Sequence, residues 1–218
     1  MKSFIFLAGI ILPIFLFSCS KDHIRGNGNI ITEQRTIAPF THVHTNADIN
    51  VHIIYGTEQK ITVKGYENLV AITETRLSNH TLIINYDNNY YNVRNSNVEV
   101  FIEMPVLTEL YTNGSADMWA NGFASGTNIF AHSNGSGDIN ITNSTYTNAE
   151  LNINGNGKIR AQGLNSLSAD AAIAGSGDIE VSCSQFLNAR ISGSGDISYW
   201  GNPVVTVNIS GSGTVRKR

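Results

Sequence analysis

The chain has 218 residues with 14 Lys+Arg against 17 Asp+Glu, 41% hydrophobic residues and two cysteines. A net charge of −3 gives no basic excess to gather nucleic-acid phosphates, and two cysteines cannot supply a disulfide scaffold or a Cys/His zinc site. Asn (26), Ser (20), Thr (17) and Gly (20) suit turns and strands, so the composition points to an all-β protein of one domain, or two small ones.

The first eighteen residues read as an export leader. Lys2 gives a positive start, residues 4–17 are almost wholly apolar, and Pro13 interrupts a run already short for a membrane span. Leu16-Phe17-Ser18-Cys19 resembles a bacterial lipobox, which makes Cys19 the expected lipidated first residue of the mature chain. Acyl chains there would hold the protein durably on a membrane. Residues 19–29 form a polar tether. The other cysteine, Cys183, has no His/Asp pattern around it and is expected to be a small buried apolar residue.

Residues 30–105 read as irregular β coils or a β cap covering one end of a repetitive C-terminal half. Strand patterns occur at 48–54, 60–64, 81–86 and 97–103, separated by turn residues, while residues 69–79 fit either a helical turn or a further strand. His42 and His44 share a face if extended, and His52 lies eight residues on, so a transition-metal site is geometrically conceivable but lacks a third established ligand. In YDNNYYN, Tyr86, Tyr90 and Tyr91 stand among Asn residues, a composition that stacks on sugars or contacts proteins; the alternative is packing on a neighbouring coil.

Residues 106–218 repeat. The series NGSADM, NGSGDI, NGNGKI, AGSGDI, SGSGDI and SGSGTV places its first glycines at 114, 135, 155, 175, 193 and 211, in steps of 21, 20, 20, 18 and 18. Units this small cannot bury a core alone and must stack. Within a unit, Leu151, Ile153, Gly155, Gly157 and Ile159 alternate with Asn152, Asn154, Asn156 and Lys158, so each unit is a strand with one buried face. Gly114 and the pairs Gly135 and Gly137, Gly155 and Gly157, Gly175 and Gly177, Gly193 and Gly195, and Gly211 and Gly213 are expected to face inward as corners. The expected fold is a β-solenoid, a right-handed parallel β-helix of short Gly-cornered coils. A dinucleotide loop is excluded because a strand follows every G-x-G, and the nine-residue calcium repeat has the wrong period.

The residue after each corner runs Asp117, Asp138, Lys158, Asp178, Asp196, Thr214, a charge ladder at a coil spacing of about 4.8 Å. Asp178 and Asp196 follow one another directly and are the weak candidates for a bound cation, or for the carboxylates of a carbohydrate-active β-helix enzyme; exposed turn aspartates satisfying backbone amides are the plainer reading. Trp119 and Trp200, each just past a corner, are candidate ligand contacts or coil-packing residues.

GNGNI, NVEVFIEMPVLTELYTNGSADM and the iterated GSGDI resemble the head GIN domain family (DUF2807) of auto-transporter adhesin-like proteins, common as lipoproteins in Bacteroidetes. The resemblance covers about residues 26–216 and implies a β-helix in the cell envelope, with no catalytic motif to carry over. The expected function is a lipid-anchored, non-catalytic binding module presenting a polar face to a glycan or an envelope or host protein, without a cofactor. The alternative is a periplasm-facing structural or envelope-maintenance lipoprotein.

Overall fold

A computed structural model describes residues 22–218; the leader, Cys19 and the start of the tether lie outside the described residues. The chain forms β1 (Asp22–Arg25), β2 (Ile30–Arg35), β3 (His42–Thr45), β4 (Asn50–Tyr55), β5 (Lys60–Tyr66), α1 (Glu67–Val70), β6 (Thr73–Ser78), β7 (Thr81–Tyr86), β8 (Tyr90–Arg94) and β9 (Glu99–Met104). There follow β10 (Glu109–Gly114), β11 (Met118–Asn121), β12 (Gly126–Gly135), β13 (Ile139–Thr142), β14 (Ser144–Gly155), β15 (Lys158–Gly175), β16 (Asp178–Gly193), β17 (Asp196–Trp200), β18 (Val204–Gly211) and β19 (Thr214–Lys217).

These strands wind into stacked parallel coils, a β-solenoid. Ahead of the corners, β10, β12, β14, β15, β16 and β18 pair in parallel, residue over residue, so that Leu110, Ala131, Leu151, Ala171, Ala189 and Val207 form one column. Behind the corners β11, β13, β15, β16, β17 and β19 stack the same way. Period-two alternation puts Leu151, Ile153, Ile159, Ile173, Ile179 and Ile191 in the core, each at most 2% exposed. Each such side chain removed from water contributes about 2 kcal/mol.

The first half of the chain joins this stack in an order that differs from the sequence. β3 and β4 make a coil of their own, paired to β10 and β11 on one side and to β7 and β9 on the other. Residues 60–104 therefore reach past this coil to its far side before the chain returns to β10. There β6 adds antiparallel to β7, β5 to β9 and β2 to β5, closing that end of the solenoid. Residues 69–79 resolve into both options: α1 ends at Val70 and β6 begins at Thr73. β1 pairs with β8 in a separate two-stranded sheet.

The corner glycines do not all face the core, which corrects the inward expectation. The second glycine of a corner is buried where a further coil covers it, as at Gly137, Gly157, Gly177 and Gly195. Gly213, the second glycine of the last coil, has no coil beyond it and is only half-buried. The first glycines lie farther out: Gly135, Gly155, Gly175 and Gly193 are half-buried, and Gly114 and Gly211 are exposed. They turn the chain at positive φ, +136° at Gly175. What excludes a side chain is the neighbouring coil. A Cβ on Gly175 would collide with the Gly155 carbonyl oxygen, one on Gly195 with the Gly177 carbonyl oxygen and one on Gly213 with that of Gly195. Partial exposure at Gly213 therefore does not free it, because the coil beneath is the obstacle.

Gly114 has the same backbone conformation as Gly175 (φ +134°), but a Cβ there would meet nothing within 4 Å. The two positions separate conformational strain from collision. Gly114→Ala should cost about 1–3 kcal/mol, the penalty of the backbone region alone. Gly175→Ala should cost clearly more in urea unfolding, and Gly175→Val more again; equal losses at 114 and 175 would show that stacking is not what demands glycine.

Candidate ligand-binding faces

The outward residues of stacked coils form ladders, and their chemistry decides what each face can do. After the corners the ladder is self-contained. Asn50 Oδ1 accepts the Asp117 amide (3.1 Å), Asp117 Oδ1 the Asp138 amide (2.8 Å) and Asp138 Oδ1 the Lys158 amide (2.8 Å). Farther on, Asp178 accepts the Asp196 amide (3.3 Å) and Asp196 the Thr214 amide (2.9 Å). The second carboxylate oxygens of Asp138, Asp178 and Asp196 meet cations: Arg160 on Asp138 and Lys158 on Asp178, both at 2.8 Å, and Arg216 on Asp196. Asp178 and Asp196 thus stitch one coil to the next. Among the described residues no group of three or more His, Cys, Asp or Glu is placed to hold a metal ion.

The histidines divide between two faces. His44 Nε2 lies 2.8 Å from Glu109 Oε1 and His42 Nδ1 lies 3.9 Å from Glu109 Oε2, whereas His52 faces Glu99 Oε1 at 3.3 Å on the other side of the corner. His52 is also the middle ring of a stack. Phe101 lies 4.9 Å away at 13° and Trp119 4.5 Å away at 6°. Both faces of His52 and one face each of Phe101 and Trp119 are covered in this stack, so Trp119 packs coil on coil through its His52 face.

The tyrosine cluster is corrected by alternation. Tyr86 points into the core at 6% exposure and its hydroxyl meets Ser96 Oγ at 2.6 Å; burial pushes its pKa up to about 12. It is not available to a ligand. Tyr90 is half-buried in β8, and the Tyr91 side chain lies outside what the structure describes.

Trp200 is different. It lines a cleft of about 800 Å³ on the third face of the solenoid, where Thr145, Asn165 and Ser182 also lie, and among the described residues no Asp, Glu, Lys or Arg lines it. The pairing of β15 with β16 shifts between Ala161 and Asn165 and again between Ser166 and Ser168, where the repeat shortens from 20 to 18 residues. Leu167 sits at the second irregularity, 44% exposed at the cleft. Bulges re-aim side chains in this way. The floor includes Cys183, 3% exposed, whose thiol burial pushes up from its ordinary value, and Tyr146, whose hydroxyl donates to the Leu107 carbonyl at 2.8 Å.

A second concavity of about 670 Å³ lies on the face ahead of the corners, lined by Tyr111, His132, Asn152, Ala172, Arg190 and Asn208. Inspection of the aromatic residues alone passes over Tyr111 and His132. Aligning the repeats on their first glycine reveals them, because all six residues occupy the position three before that glycine.

The family model described as "Putative auto-transporter adhesin, head GIN domain" (DUF2807) matches residues 39–203. The chain belongs to that family. A solved "putative adhesin" from Bacteroides fragilis NCTC 9343 is 21% identical to this family member, with a TM-score of 0.70, covering 89% of this chain and 100% of its own. A "putative adhesin" from Parabacteroides merdae ATCC 43184 is 21% identical, with a TM-score of 0.59 and coverage of 90% and 99%. A "putative lipid binding protein" from Parabacteroides distasonis ATCC 8503 is 23% identical, with a TM-score of 0.57 and coverage of 90% and 100%. At these identities the likeness shows the fold alone. No curated protein matches the sequence.

These environments set two solution properties. Native Cys183 should resist iodoacetamide at pH 8 and react at a free-thiol rate only in denaturant; fast native labelling would mean that the cleft floor opens. The Thr214 hydroxyl first, then the Thr214 amide and Arg216, hold the Asp196 carboxyl below its ordinary value. A lowered folded pKa gives stability that is present above the unfolded value of about 3.9 and lost as pH falls through the lower folded one. Asp196→Asn should therefore flatten the acid limb of the melting-temperature profile, which the unchanged protein retains.

Proposed function

We propose that this head GIN protein is a non-catalytic, adhesin-like binding module of the bacterial cell envelope, held to a membrane by lipid on Cys19, and that the Trp200 cleft takes an uncharged glycan. The uncharged lining of that cleft carries the proposal. Thr145, Thr147 and Asn165 offer donors and acceptors to sugar hydroxyls, Ser182 and Ser184, which donate to the Gln162 and Ser166 carbonyls, offer acceptor oxygens, and Trp200, half-buried, offers an aromatic surface to a pyranose face.

The same lining argues against hydrolysis. Glycoside cleavage uses two carboxyl groups about 5–10 Å apart across the bond, and among the described residues neither Asp nor Glu lines the cleft. The family description and the leader with its lipobox support an envelope location. Single sites of this shallow kind bind weakly, and many copies on a surface give avidity.

A panel of neutral oligosaccharides, including maltohexaose, mannohexaose, xylohexaose and chitohexaose, should yield at least one ligand. Trp200→Ala should weaken it tenfold or more with unchanged melting. Absence of binding across the panel, or indifference to Trp200→Ala, overturns the assignment. For the location, external protease on intact cells should release the solenoid at the tether; protection until lysis would instead favour the periplasm-facing alternative.

A further inference from the structure

The trough ahead of the corners differs in chemistry from the Trp200 cleft. It runs along the solenoid axis, because its lining residues are stacked partners: Tyr111 over His132, then Asn152, Ala172, Arg190 and Asn208. Its depth comes from side-chain size. Ala172 and Ala174 form the floor, with the larger Tyr111 and His132 on one side and Arg190 and Asn208 on the other.

Its rings are splayed rather than stacked. His44 and Tyr111 lie 5.0 Å apart at 41°, and Tyr111 and His132 lie 6.4 Å apart at 36°. Tyr111 stands between the two histidines, and these tilts and the 6.4 Å gap cover the rings less closely than in the near-parallel Phe101–His52–Trp119 stack. Beside them run amides: Asn134 Nδ2 reaches Asn113 Oδ1 at 3.1 Å, Asn152 Nδ2 reaches Glu150 Oε1 at 2.8 Å, and Asn154 is exposed. A primary amide has two donor hydrogens and an acceptor oxygen: Asn134 directs its second hydrogen at the Tyr111 hydroxyl (3.5 Å) and keeps its oxygen, while Asn152 keeps one hydrogen and its oxygen for a ligand.

Charge sets the ligand class. Among the described residues lining the trough, Arg190 is the one with a permanent charge. Its Nη1 lies 3.4 Å from Asp170 Oδ1, long for a charge-assisted bond, while that same oxygen already accepts the Asn188 amide at 2.7 Å. Arg190 can therefore turn to a ligand carboxylate and leave Asp170 with a donor. The guanidinium fork matches a carboxylate bidentately.

The geometry points to a second binding site, for an acidic oligosaccharide laid along the solenoid axis, with pyranose faces on Tyr111 and His132, hydroxyls on the asparagine amides and a carboxylate on Arg190. This site is independent of the Trp200 cleft.

Calorimetry on the full chain tests it with tetragalacturonate, hyaluronan hexasaccharide and sialyllactose, each against its neutral counterpart, in the unchanged protein and in Trp200→Ala. At least one acidic probe should bind tenfold or more tighter than its counterpart, weaken with added salt, and bind equally well to Trp200→Ala. Arg190→Gln should remove the acid preference and Tyr111→Ala should weaken binding tenfold. Ala172→Leu fills the floor from outside, leaving Arg190 in place, and should block binding with unchanged melting. No acidic ligand, equal binding of the neutral counterparts, no effect of Arg190→Gln, or loss in Trp200→Ala would each overturn the site. Loss of neutral-glycan binding alone bears only on the Trp200 cleft.

Discussion

The close approach of one coil to the next at the corner is the contact on which the rest of the structure depends. The carbonyl of each first glycine accepts an amide from the coil above: Ser176 on Gly155, Ser194 on Gly175 and Ser212 on Gly193, each at 2.9 Å. That bond requires the next glycine to sit directly over the carbonyl, where a side chain has no room. Glycine is therefore demanded twice, by the left-handed turn and by the neighbour. Because each coil imposes the demand on the next, the motif is kept while the residues between corners vary.

In-register stacking then converts a single sequence position into a column. An inward position four residues before Ala116, Gly137 or their equivalents can be apolar or polar if the corner itself satisfies it. Thr112 Oγ1 donates to the Ala116 carbonyl at 2.9 Å and Ser133 Oγ to the Gly137 carbonyl at 2.6 Å, both fully inside. In the next coils the same column is Ile153, Ile173 and Ile191. Outward columns divide by chemistry: aspartates that accept backbone amides, a stack of three rings, and the Tyr–His–Asn–Ala–Arg series. The first two direct their polar or aromatic capacity at neighbouring coils. The last keeps some of it free.

The repeats, their strand alternation and their glycine corners were legible because each is a local pattern renewed every 18 to 21 residues. The coil made by β3 and β4 was not, since Thr45–Ile49 turns without a G-x-G and its partners lie on both sides in space but not in sequence. That hidden coil also explains Trp119. The rings of its stack belong to three segments, near 52, 101 and 119, which only the out-of-order stacking brings together. Tyr86 shows a simpler limit. In β7 the alternation buries Leu82, Ile84 and Tyr86 together, and a buried column that ends on a tyrosine beside Asp and Asn looks in sequence like the start of an exposed turn.

The concavities arise where the repeat departs from regularity. A solenoid needs only glycine at its corners and suitable residues inside; outward positions are free to vary without disturbing the core. Where they vary smoothly, as in the aspartate ladder, the columns bond to themselves. Where they break, a hollow forms: Ala172 interrupts a column of larger side chains, with Ala174 beside it in the next outward column, and two residues are lost from the third face where the repeat shortens. These are also the places where aromatic rings and amides are left with faces and hydrogens to offer. The two concavities differ in charge, one uncharged and one holding Arg190, so a single rigid rod presents two chemically distinct grooves on separate faces.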